Sequence, residues 1–213
     1  MGQFDAAYSR DGHYHAFVKS SSDPQLVLVI QDLRDNQEHI LNPGNGRDFV
    51  RNPSIAPDST NVVFSLSNEG GQQIASVNMQ AKSLARLTTS SGLNATPSYS
   101  PDGERIAFSS SRDGNFEIYV MDRSGQNVQR LTNSPGLDHR PVWSPDGRRI
   151  AFTSNRDGNY EIYVISADGV RLQRVTHHSE RDDYAAWHPD GQHLAVVSER
   201  HGKCDLYLIE VPE

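Results

Sequence analysis

One four-residue string, repeated at a fixed interval, constrains this chain more than any other feature. Ser-Pro-Asp-Gly stands at Ser100 to Gly103 and at Ser144 to Gly147, with looser copies at His188 to Gly191, Ala56 to Ser59 and Ser9 to Gly12. The aspartates of the five copies are Asp11, Asp58, Asp102, Asp146 and Asp190, so the steps are 47, 44, 44 and 44 residues. Between Ser100 to Thr132 and Ser144 to Thr176, 21 of 33 aligned positions are identical, including Arg-Ile-Ala-Phe, Arg-Asp-Gly-Asn, Glu-Ile-Tyr-Val and the closing Gln-Arg-x-Thr. A constant period of this length marks a repeat architecture, in which each unit buries its faces only against its neighbours.

Within one unit the pattern reads as four short strands, at Pro141 to Trp143, Arg149 to Ser154, Tyr160 to Ile165 and Leu172 to Thr176. Turn residues bound each of them. Asp146-Gly147, Asp157-Gly158 and Asp168-Gly169 are hairpin signals, because glycine accepts the positive φ such turns need and aspartate bonds its own backbone. Apolar residues alternate, as in Ile150 and Phe152 or Ile162 and Val164, which is the period of a strand and not of a helix. Four antiparallel strands in about 44 residues make a propeller blade. The fold predicted is therefore an all-β, five-bladed β-propeller forming a single domain, with blades near 4–47, 48–91, 92–135, 136–179 and 180–213. Tyr8, Tyr99, Trp143 and Trp187, with Ile55 in the second unit, hold one place in the first strand and are expected to fill the gaps between adjacent sheets. The chain ends just after a third strand, Asp205 to Glu210, so the last blade is predicted to be three-stranded, the alternative being a piece of a larger ring.

The strings Ser-Pro-Asp-Gly-x-Arg-Ile-Ala-Phe-x-Ser and Asp-Gly-Asn-x-Glu-Ile-Tyr-Val, at Ser100 to Val120 and Ser144 to Val164, resemble the repeat of the TolB-type propellers. The resemblance is close in the third and fourth units, good in the fifth, and loose in the first two, where Arg10 replaces the proline of the motif and Ser59 its glycine. It implies a propeller scaffold that binds partners at one mouth of a central channel, a periplasmic or secreted location, and a channel that accepts calcium. The family's ring has six blades preceded by a small α/β domain, whereas five repeats are counted here. Its partner, the peptidoglycan-associated lipoprotein, is recognised by surface loops outside the repeat motif, so partner identity is not implied.

Formal charge is −7, and the basic residues are scattered instead of clustered, which excludes the electrostatic footprint of a nucleic-acid binder. No apolar run approaches the roughly 20 residues that span a bilayer, and Met1 to Arg10 lacks the order of a signal peptide. The lone Cys204 allows neither an internal disulfide nor a cysteine-based metal site. No Gly-x-Ser-x-Gly elbow is present and no acid/base pair stands at a catalytic spacing, so no enzyme is predicted. Of nine histidines, the adjacent His177 and His178 have His188 and His193 nearby in sequence, at spacings that match no common zinc pattern.

Propellers place ligands where innermost strands begin. Six residues before each copy of the string stand Gln3, Val50, Asn94, Asp138 and Asp182. Oxygen donors converging there suit a hard cation, and Asn94, Asp138 and Asp182 are the expected channel ligands for Ca²⁺, Val50 counting against a full ring. Asp113-Gly114-Asn115 and Asp157-Gly158-Asn159 look like fragments of calcium loops but lack the remaining ligands, so they are read as hairpin turns. The function expected is a non-enzymatic binding scaffold that takes a protein segment or small ligand at the channel mouth. The alternatives are a carbohydrate-binding propeller and a purely structural piece of a larger protein.

Overall fold

A computed structural model describes residues 3–20, 26–41, 49–68, 70–200 and 202–212, the side chains of Gln3 and Phe4 excepted. Among these residues nineteen strands form five antiparallel sheets. Blade one holds β1 (Gln3–Tyr8), β2 (Tyr14–Ser20), β3 (Leu26–Asp32) and β4 (Gln37–Leu41). Blade two holds β5 (Phe49–Ile55), β6 (Asn61–Asn68), β7 (Gly71–Asn78) and β8 (Leu84–Arg86). Blade three holds β9 (Asn94–Tyr99), β10 (Arg105–Ser110), β11 (Glu117–Asp122) and β12 (Gln129–Arg130). Blade four holds β13 (Asp138–Trp143), β14 (Arg149–Ser154), β15 (Glu161–Ser166) and β16 (Leu172–Arg174). Blade five has three strands, β17 (Asp182–Trp187), β18 (His193–Arg200) and β19 (Lys203–Glu210), as the repeat count predicts. No helix of the described residues is long and apolar enough to cross a membrane.

The repeated string builds the hairpin between the first two strands of a blade. In blade four, Ser144 Oγ donates to Asp146 Oδ1 at 2.6 Å and accepts from the Arg149 backbone N–H at 2.9 Å, while Asp146 Oδ1 accepts from Arg148 N–H at 3.0 Å. Gly147 takes a φ of 70° to close the turn, and Ser59, its counterpart in blade two, takes 54° despite its side chain. The closing Gln-Arg-x-Thr has a similar job: Thr132 and Thr176 hydroxyls accept from the backbone N–H of Ile118 and Ile162, tying the short outer strand to its neighbour.

Each blade has a front face and a back face, and front packs on back around the ring. Ala151, Ile162 and Val164 on the front of blade four bury against Ala185, Leu194 and Val196 of blade five, with Trp187 packed beside them. Ala107, Ile118 and Val120 of blade three meet Trp143, Ile150 and Phe152 in the same way. The junction aromatics also donate across the gap, Trp143 Nε1 to Ser98 O and Trp187 Nε1 to Val142 O, each at 3.2 Å. Tyr99, Trp143 and Ile55 are buried as expected, and Trp187 is half-buried. Tyr8 is 66% exposed and stacks on His15 of its own blade at 4.4 Å. The reason is positional: each such aromatic docks on the front of the blade before it, and the front of blade five is open.

Candidate functional site at the central channel

The five innermost strands, β1, β5, β9, β13 and β17, share one irregularity. Each is bulged against its partner strand, and inside each bulge one non-glycine residue takes a positive φ: Asp5 (44°), Asn52 (52°), Thr96 (51°), Arg140 (56°) and Tyr184 (55°). The positions repeat at the intervals of the blade, so the fold imposes the bulge five times. A positive φ at a β-branched or bulky residue costs free energy, and the bulge re-aims the side chain it carries. All five line a central cavity of about 370 Å³, whose walls also include Ala6, Pro53, Pro97, Pro141 and Ala185. Neighbouring blades hold the bulges in place: Ser65 Oγ accepts from Thr96 N–H at 3.0 Å and Ser109 Oγ from Arg140 N–H at 3.2 Å.

The charged residues of the channel are unevenly placed. Between blades four and five, Arg140 Nη1 donates to Asp183 Oδ2 at 2.7 Å and Nη2 to the Tyr184 hydroxyl at 3.0 Å, with the guanidinium 4.0 Å from the centre of the Tyr184 ring. Arg181 pairs with the same carboxylate, and Thr153 donates to its other oxygen at 2.8 Å. Burial works against the Asp183 charge, but the Arg181 hydrogen bond, Thr153 and the Arg140 charge outweigh it and hold the carboxyl below its ordinary range. His139 lies against Tyr160 edge to face, and burial, helped by the Arg140 charge, brings it down to about 4. Across the channel Arg51 bonds Asp5 at 2.6 Å. Tyr184 itself is exposed, so this corner presents an aromatic ring backed by a guanidinium.

The residues expected to hold calcium stand at the start of their strands, near the polar side chains at the strand heads. Asn94 is buried, donates to Gln73 at 2.9 Å and accepts from Arg112 at 3.0 Å. Asp138 is buried and paired with Arg156 at 2.6 Å. Asp182 is buried too, yet neither of its carboxylate oxygens has a hydrogen-bond partner among the described residues. Val50 is buried in the apolar core, and the Gln3 side chain lies outside the described residues. The three oxygen-bearing residues therefore differ in what they can offer a cation: Asn94 and Asp138 each have an oxygen engaged by arginine, and Asp182 has neither oxygen engaged among the described residues. Asp113 and Asp157 accept from the hydroxyls of Tyr119 and Tyr163, an intrablade contact consistent with their reading as turn residues.

Sequence reasoning missed the bulge residues, because nothing in Asp5, Asn52, Thr96, Arg140 and Tyr184 is alike except their spacing. It also passed over Glu117 and Glu161, both buried, which accept from Arg130 and Arg174 at 3.0 and 2.9 Å and from the threonines of the closing motif. Their signal was present: an acidic residue recurring at the head of an apolar strand, 13 residues before an arginine.

Residues 4–137, more than half of the chain, match the TolB beta propeller domain. The chain belongs to the TolB β-propeller family. Residues 121–211 of this TolB-family propeller also match the N-terminal beta propeller domain of tricorn protease. TolB from Acinetobacter baumannii superposes at a TM-score of 0.83 with 24% identity, covering 98% of this chain and 52% of that one. The TolB-type protein of Agrobacterium tumefaciens gives 0.80 and 24%, covering 98% and 77%. An oligogalacturonate lyase solved in complex with manganese shares the fold at 0.67 and 15% identity, covering 100% of this chain and 78% of that one. This TolB-family chain thus spans about half the length of the Acinetobacter protein. No curated protein matches it in sequence. At these identities the neighbours, enzymes among them, speak to the fold and not to an activity.

Proposed function

We propose that this TolB-family propeller is a non-enzymatic binding module that takes a protein segment or a small ligand at the channel mouth beside Arg140 and Tyr184. The observation that supports the reading is the ring of five positive-φ side chains turned onto one cavity, since backbone strain is retained where surrounding structure holds a site in a binding geometry. An exposed tyrosine over a guanidinium is also the kind of anchor that dominates binding energy at interfaces. The family resemblance supports a periplasmic or secreted setting, where a peptide-binding propeller has soluble or envelope partners. Repeated sugar-binding platforms would need exposed aromatics at the blade junctions, whereas Tyr99 and Trp143 are buried there.

The test is affinity capture from a periplasmic extract with the intact chain, Arg140→Ala and Tyr184→Ala. A partner held by the intact chain and lost at least tenfold by both variants supports the reading, provided their melting midpoints stay within a few degrees. Capture that both variants retain would move the binding surface away from this mouth.

Calcium is part of the proposal only through Asp182, whose two unpartnered oxygens suit a cation that takes six to eight oxygen ligands. A thermal melt in EDTA, CaCl₂ and MgCl₂ tests it. A cation present at about 100 times its Kd adds roughly 2.7 kcal/mol to the folded state. A rise with CaCl₂ that Asp182→Asn abolishes supports the contact, and superimposed curves remove calcium from the proposal.

A further inference from the structure

At the opposite end of β17 from Asp182, the turn of blade five departs from the repeat at two positions that meet in space. Where blades three and four place Ser100 and Ser144, blade five has His188; where they place Arg105 and Arg149, it has His193. In blade four the serine hydroxyl caps the turn, and the arginine reaches across to blade five, lying 4.9 Å from the Trp187 ring and donating to Gly191 O at 2.6 Å. Blade five has no blade packed on its front, so the residue at 193 turns back on its own hairpin. His193 Nδ1 lies 2.8 Å from Asp190 Oδ2, and His188 Nδ1 lies 3.0 Å from the same oxygen. The three ligand atoms fall within 4.8 Å of one another, the one such grouping of three among the described residues.

The division of labour at Asp190 is what gives the cluster the form of a chelate. Its Oδ1 is committed to the turn, accepting from the backbone N–H groups of Gln192 at 2.8 Å and His193 at 3.2 Å. Its Oδ2 is turned toward the two imidazoles. The Asp190 N–H donates to His188 Nδ1 at 3.3 Å, so the lone pair of this nitrogen faces the turn beside the carboxylate, and the ring gives up this one long hydrogen bond when it takes a metal. One carboxylate whose other oxygen is anchored by backbone donors, together with two imidazoles, is the donor set that divalent transition metals take.

We propose that blade five carries a divalent transition-metal site of the zinc class, ligated by His188 Nδ1, Asp190 Oδ2 and His193 Nδ1, with a fourth position open to water. Bonds of about 2.0–2.2 Å in a tetrahedral set separate the ligand atoms by about 3.3 Å. The two histidine–carboxylate separations of 2.8 and 3.0 Å need to open by a few tenths of an ångström, while the two imidazole nitrogens, within 4.8 Å of each other, adjust to the same spacing, and all three side chains are exposed enough to do so.

The experiment is titration of the tag-free, EDTA-stripped chain with ZnCl₂ by calorimetry, repeated with CoCl₂ followed by visible absorption. The expected result is saturation at one ion per chain, with cobalt absorption of tetrahedral intensity. His188→Ser with His193→Arg restores the residues the repeat carries elsewhere, so the fold is kept, as an unchanged melting midpoint in EDTA checks. This pair is expected to weaken zinc binding at least a hundredfold, while His177→Ala with His178→Ala leaves it unchanged. Absence of saturable binding, or equal affinity in the doubly restored chain, overturns the site.

Discussion

Blades four and five carry the same repeat 44 residues apart, and one of them is buried on both faces while the other is not. On blade four, Val164 pairs across the sheet with Ala151 and Ala151 with Val142; on blade five the counterparts are Leu208, Ala195 and Ala186. Val164 is 4% exposed and Leu208 63%; Ile162 is fully buried and its counterpart Leu206 is 73% exposed. The residue types are equally apolar. What differs is whether a following sheet covers them, so burial here is a property of position in the ring and not of the repeat. The polar clusters at the strand heads follow the same division. Arg156 in blade four bonds Ser154, lies over Tyr163 and also neutralises Asp138, whereas the corresponding Arg200 of blade five keeps the serine and tyrosine contacts, with Ser198 and Tyr207, and Asp182 has no partner among the described residues.

The largest expected effect comes from placing a charge on each face in turn. Val164→Asp should cost more than about 4 kcal/mol or abolish folding, since it buries an unpaired carboxylate between sheets. Leu208→Asp should change stability by no more than about 0.5 kcal/mol. It should also lower any concentration-dependent association through the open front and edge of blade five, measured by analytical ultracentrifugation. Equal losses in urea melts of the two variants would mean that the front of blade five is covered in solution.

Next come the paired and unpaired carboxylates. Asp138→Asn breaks a buried ion pair and should cost about 3–5 kcal/mol. The same change at Asp182, measured in EDTA, should be neutral or should stabilise by about 1–3 kcal/mol, because it replaces a buried acceptor group that has no donor. A loss at Asp182 as large as at Asp138 would erase the distinction between the two blades.

The smallest effect is a pH dependence. His139 of blade four stands where blade five has Asp183, and its folded value of about 4 lies below the 6.5 of a free histidine. The unfolded chain therefore binds the extra proton between pH 6.5 and 4, and stability that is intact above pH 6.5 is lost as the pH falls through that window. The loss should reach about 1–3 kcal/mol. His139→Gln should flatten the slope of urea midpoint against pH over this range, and an unchanged slope would assign the acid sensitivity to other groups.

Much of this was legible before any coordinates. Asp146-Gly147 announced its hairpin because turn chemistry is local, and Ile150, Phe152, Ile162 and Val164 announced two strands because alternation is local too. The channel corner was not legible, since Arg140, Asp183 and Tyr184 come from two strands more than 40 residues apart and share no motif. His188 and His193 looked unrelated for the opposite reason: they are near in sequence, but only a hairpin that folds back on Asp190 turns both imidazoles to one oxygen.

By itself the sequence determined the repeat, the strands and turns within each unit and the family, since all of these follow from a 44-residue period and from interactions within a few residues. The tertiary structure decided which of the repeated positions are buried, which aspartate keeps an arginine, which bulged side chains face the cavity and which histidines meet. Those outcomes depend on what packs against a blade from outside it, and identical repeats in different places around a ring meet different neighbours.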